Sequence, residues 1–163
     1  MKSKIGTITL GEKAYLSDPC YDSKPNGFYN CVIDTIPGEY YAFVTRSESK
    51  GCAKDRITSL LVVHKDYYPK FKTMPRNYDE MLFCCVDSGS CGIFDKDYFE
   101  KYHSSTSNEI DEDWYDKFVI EMEEHIITDN KGAISISGWG DGRYPVFAEY
   151  VNKKAFAIRI KFL

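Results

Sequence analysis

The chain has 163 residues and a formal net charge of −4, with 28% charged and 43% hydrophobic residues. That length can bury the core of a single domain without disulfide or metal staples, and that balance excludes a disordered chain. No apolar run approaches the ~20 residues of a bilayer span, so no membrane partner is expected.

Aromatic residues reach 15%, with 13 tyrosines, a composition that suits pleated surfaces and ligand-stacking walls alike. Met1 to Lys4 carries charge, but "IGTITLGEKAYL" then alternates instead of running apolar, so no export signal is read and a cytosolic protein is expected. Strands are expected over Ile5 to Leu10, Lys13 to Ser17, Phe28 to Asp34, Tyr40 to Arg46, Ile57 to Lys65, Leu82 to Val86, Ala133 to Ser137, Val146 to Val151 and Ala155 to Phe162. The turn signals at 24–27, 37–38, 129–132 and 152–154 read as hairpins between them.

Helical periodicity is concentrated from Asp111 to Ile126. There Trp114, Tyr115, Phe118, Val119, Met122 and Ile126 recur three and four residues apart, with acids on the other side. A shorter helix is expected from Lys96 to Tyr102. The expected class is therefore α+β: one domain, 1–163, of mostly antiparallel strands in a sandwich or strongly curved sheet, with one main amphipathic helix packed on it.

Charge is sorted along the chain. Residues 46–76 hold eight Lys or Arg against three acids, and residues 77–130 hold three against fifteen. The basic stretch "HKDYYPKFKTMPR" at 64–76 offers Lys65, Lys70, Lys72 and Arg76 between aromatics. No nucleic-acid motif accompanies it, and a pI near 5.4 argues against that partner. The acidic helix suits a basic protein surface, or is simply solvated.

The six cysteines include no C-x-x-C pair, and adjacent Cys84 and Cys85 point to opposite faces of a strand, so buried small hydrophobes are favoured over a zinc site. "VDSGSCGIFD" at 86–95 sets Asp87 and Asp95 around Ser88, Ser90 and Cys91. It fails as a calcium loop, since the third, fifth and twelfth positions from Asp87 are Gly89, Cys91 and Tyr98. As a nucleophile elbow around Ser90 it has Ser88 where the first glycine belongs. Only His64, His103 and His125 are available as bases.

"SGWGDGRYPVF" at 137–147 is not a dinucleotide fingerprint, because a strand and not a helix follows it. Its plain reading is a tight or bulged turn in which Gly138, Gly140 and Gly142 allow positive φ and Trp139 and Tyr144 cover the core. Its functional reading gives Arg143 to a phosphate or carboxylate, Asp141 to a hydroxyl or base edge, and Trp139 or Tyr144 to a stacked ring.

The succession "SDPCY" at 17–21, "VVHKDY" at 62–67, "VDSGSCGIFD", "WYDKF" at 114–118, "SGWGDGRYPVF" and "AIRIKFL" at 157–163 resembles a family of small proteins of unknown function from bacteria and their phages, over nearly the whole chain. The resemblance implies fold and origin and transfers no catalytic residue. It favours a noncatalytic protein that binds a nucleotide-like small ligand or a host protein, without a cofactor. Its site would use the loops at 18–22, 87–95 and 138–144, with Asp18, Asp87, Ser88, Asp95 and Asp141 beside Trp139, Arg143 and Tyr144. Two rivals stand: a hydrolase in which Asp18, Asp87, Asp95 and Asp141 hold a divalent ion, and a protein-interaction module using Glu121 and Glu124 of the acidic helix.

Overall fold

The computed structural model describes residues 1–21, 30–71, 81–103 and 112–162. Phe28, the turn at 24–27, Lys72, Arg76, the polar run before the acidic segment, and Asp111 lie outside them.

Two antiparallel sheets account for the strands. The first has six: β1 (Lys2–Leu10), β4 (Gly38–Arg46), β5 (Ile57–His64), β11 (Lys154–Lys161), β10 (Gly142–Val151) and β6 (Met81–Val86), in that spatial order. The second has five: β3 (Cys31–Asp34), β2 (Lys13–Ser17), β7 (Ser90–Asp95), β9 (Gly132–Ile136) and β8 (His125–Thr128). Ile8, Val62 and Ile158 from the first sheet and Leu16, Ile93 and Ala133 from the second share one core.

Both sheets are covered again on parts of their outer faces. Leu61, Val63 and Phe156 pack with Phe71 of α1 (Tyr68–Phe71), so Leu60 to Val63 of β5 are apolar on both faces. Tyr15, Phe94 and Ile134 pack with Phe99 of α2 (Lys96–His103) and with Trp114 and Phe118.

Local turn chemistry sets the hairpins. Asn152 and Lys153 both take positive φ (51° and 64°) between the paired residues Val151 and Lys154, the type I′ geometry that matches strand twist. Asp129 and Asn130 (45° and 56°) turn β8 into β9. The Pro37-Gly38 turn differs from the hairpin expected there, because β3 and β4 belong to opposite sheets and it carries the chain between them.

The α+β class is corrected. The chain is β-rich, and its helices are short. The periodic segment forms α3 (Glu112–Tyr115), widens into a π-helical turn (Asp116–Ile120) closed by the Glu121 amide on the Asp116 carbonyl at 2.8 Å, and ends. His125–Thr128 is then a strand, with Ile126 opposite Ile134. Trp114 and Phe118 do bury one stripe, four residues apart, but the β-branched run Ile126-Ile127-Thr128 satisfies its backbone better along β9 than in a further helical turn. The second surprise is β7, a wholly buried strand in a stretch that reads as a loop. Its Gly92 is required by packing, since a Cβ there would lie 2.3 Å from the Phe94 ring.

Candidate functional site

Two connections cross between the sheets side by side. β6 passes through residues 87–89 into β7, and β9 passes through residues 137–141 into β10. Because β6 pairs with β10 (Val86 opposite Gly142) and β7 with β9 (Ser90 opposite Ile136), both turns leave the same rim of the sandwich. The Ser137 amide donates to the Gly89 carbonyl at 2.8 Å and joins them. Ser17 lies opposite Gly92, so residues 18–21 reach the same rim.

Asp18 ties this rim together. It is fully buried, and its carboxylate accepts from four donors: the amides of Asp87 and Ser88 on Oδ2, both at 2.7 Å, and the Ser88 hydroxyl (2.7 Å) and Cys20 amide (2.8 Å) on Oδ1. A buried carboxylate is tolerated only when so satisfied. Ser88 is therefore spent on Asp18. Asp87 is exposed and accepts a hydrogen bond from the Tyr21 hydroxyl. Burial, then the Asp87 carboxylate, push the Tyr21 hydroxyl up, and burial and Asp18 do the same for the Cys20 thiol. A thiol so raised is a poor nucleophile at neutral pH.

The glycine loop is braced from within. The Ser137 hydroxyl donates to the Gly140 carbonyl, and the Tyr144 hydroxyl donates to the same oxygen at 2.8 Å. Tyr144 is only 7% exposed and packs edge-on against Phe162, so it is a pillar of the turn. Gly138 has φ 74°, and a Cβ on it would lie 2.1 Å from the Ile57 carbonyl oxygen, a position closed to any other residue. Asp141 is exposed at the tip. Arg143 stands one strand position inward, its guanidinium 4.1 Å from the Phe83 ring centroid.

Trp139 is the exception to this inward packing. It is 47% exposed, and the Arg56 guanidinium stacks on its ring at 4.6 Å. Arg56 is itself anchored, donating to the carbonyls of Gly138 and, at 2.8 Å, Cys52. Sequence reasoning missed Arg56, which lies 82 residues from Gly138 and carries no motif.

Asp95 does not join the others. It ends β7 about 17 Å from Ser90, five residues at strand rise, where its carboxylate caps α2 through the Tyr98 amide (3.1 Å) and accepts the Gly11 amide (2.7 Å). Among the described residues no group of three or more His, Cys, Asp or Glu side chains is placed to hold a metal ion. Cys84 and Cys91 meet at 3.0 Å in the core.

A model of the DUF4241 family, proteins of unknown function, matches residues 18–157. The chain belongs to that family. The match begins at the buried Asp18 and runs through both crossing turns of this DUF4241 protein, so all three rim loops fall within it. No curated protein and no solved structure matches the chain. Among the described residues no helix of the DUF4241 chain is long and apolar enough to cross a membrane.

Proposed function

We propose that this chain is a noncatalytic binding protein, cytosolic and of bacterial or phage origin, that engages a host protein through the three-loop rim. Trp139 carries the reading: a large aromatic left half in solvent while Arg56 stacks on its ring and holds the carbonyl of the preceding Gly138. An aromatic ordered before binding loses little entropy on contact, and Trp with Arg are the side chains that most often dominate interface energies. Asp87 and Asp141, exposed on turns beside it, suit a partner that presents basic groups around an apolar pocket. The origin rests on the resemblance in sequence. The clustered-aspartate hydrolase has no comparable support, because Asp18 is saturated by donors and Asp95 lies at the far end of β7.

The test is affinity capture from a bacterial host lysate with the full chain, Trp139→Ala and Arg56→Ala in parallel. A protein held stoichiometrically by the wild type and depleted at least about tenfold by Trp139→Ala, at unchanged melting temperature, is the expected result. Equal recovery on the wild type and on both variants would overturn the reading.

A further inference from the structure

Cys84 of β6 and Cys91 of β7 meet across the sandwich. Cys84 belongs to the six-stranded sheet, opposite Tyr144, and Cys91 to the five-stranded one, opposite Ser135, and both are fully buried in the shared core. Their sulfurs lie 3.0 Å apart although they come from different sheets, and the turn at 87–89 joins the two strands. An S–S bond would need the sulfurs to close by about 1 Å, a movement small enough to leave both strands in place. Little is lost in exchange. The Cys84 thiol reaches the Cys85 carbonyl at 3.6 Å and the Cys91 thiol the Ser17 carbonyl at 3.5 Å, and thiols are weak donors.

Access to the pair comes through opening of the structure. Burial pushes the Cys91 thiol up, so in the closed core it is not the attacking sulfur. Exchange runs while the pair is exposed, either before the core closes during folding or when β6 leaves it. β6 is the outer strand of its sheet among the described residues, held by the ladder to β10, whereas β7 lies between β2 and β9. Cys84 is therefore the first of the two to reach solvent.

We propose that Cys84 and Cys91 are a redox-sensitive pair whose disulfide staples the two sheets directly beneath the rim. The oxidant is a low-molecular-weight disulfide. In the open state the Cys84 thiolate attacks one of its sulfurs and expels a small thiolate, and the Cys91 thiolate then attacks the Cys84 sulfur of the mixed disulfide and expels the second. One S–S bond is broken and one is formed, the two protons of the protein thiols end on the two released thiols, and the small disulfide gains the two electrons that the protein pair loses. The staple closes a loop that contains Asp87 and Ser88, whose amides hold Asp18, so oxidation fixes this turn whether or not the rim binds a partner.

Equilibration of the full chain with mixtures of reduced and oxidised glutathione tests this, once after refolding into buffer in the same mixture and once in concentrated urea. Alkylation and mass spectrometry give the oxidised fraction, cleavage before Asp87 separates Cys91 from Cys84 and Cys85, and fragmentation tells those two apart. Cys31 of β3 packs against the same core and is the competing partner. The folded chain should hold the Cys84–Cys91 bond with an equilibrium constant at least about 100-fold larger than in urea. By linkage the bond must stabilise the fold by that same factor, so the oxidised wild type should melt above the reduced wild type. Cys91→Ala should melt alike after either treatment, and the comparison of wild type with itself stands even where that variant fails to fold. Equal constants in buffer and urea, a bond that joins Cys31 or Cys85 in place of this pair, or an oxidised chain that melts at or below the reduced one would each overturn the proposal.

Discussion

Asp18 illustrates how a residue type that suggests chemistry can be consumed by structure. An aspartate in a short loop beside two others looks like a ligand set, yet its four donors leave the carboxylate no capacity for a metal or a substrate. Those donors include the amides of Asp87 and Ser88, about 70 positions away, and nothing local in "SDPCY" announces them. Replacing Asp18 by asparagine sets an NH2 group against donors and removes the charge from charge-assisted bonds. Urea unfolding should show a loss of about 3 kcal/mol, whereas the same change at exposed Asp141 should cost under about 0.5 kcal/mol. Equal effects at the two positions would mean that Asp18 does not hold the rim. Tyr144 makes the same point, since its hydroxyl lies on the Gly140 carbonyl instead of facing a ligand.

Elements were legible where the signal was local and opaque where it depended on a distant partner. The turns at Asp129-Asn130 and Asn152-Lys153 announce themselves through Asp129, Asn130 and Asn152, residue types that tolerate positive φ. The helix expected from Asp111 to Ile126 fails in its second half, where the chain from His125 on pairs with β9 as a strand. Trp114 and Phe118 pack on Phe94 and Phe99 from a helical turn, whereas Ile126 reaches the same cluster from a strand, opposite Ile134 of β9. β7 was hidden because Gly92 looks like a turn residue until the Phe94 ring is seen in the place of its missing Cβ. The junction before β8 also carries an ion pair. Arg46, at the end of β4, meets Glu124 at 2.5 Å and holds its carboxyl below the ordinary glutamate range, while the Arg46 guanidinium is pushed up in turn.

A carboxylate whose folded pKa is depressed adds stability that is present above its unfolded pKa, about 4.3, and is lost as pH falls through the lower folded value. With the Glu124 side chain 47% exposed, solvent screening holds the contribution to about 0.5 kcal/mol. Unfolding of Glu124→Gln against wild type should show that difference at pH 7 in low salt and none at pH 2 or in 1 M salt. A difference that persisted at pH 2 would assign it to packing and not to charge.

For the whole molecule, alternation along the chain gives most strands but not their order, which is set by which apolar faces can be buried together. β11 is the clearest case. Its residues, 154–161, come after every other strand in the sequence, yet it lies between β5 and β10 in the interior of the six-stranded sheet. Nearly a hundred residues separate β11 from the β5 residues it pairs with, as in Ala157 opposite Val63. During synthesis, β5 and β10 must therefore wait, each with an open hydrogen-bonding edge, until the last strand has been made, and refolding must close the same long loop. A fragment of residues 1–153 should aggregate on dilution from urea, and a peptide of residues 154–163 added in trans should return it to solution. A soluble, monomeric fragment would show that the sheet closes without its central strand. The cell making this protein thus holds, for the time taken to translate β6 to β11, a half-built sheet whose open edge is available to other chains.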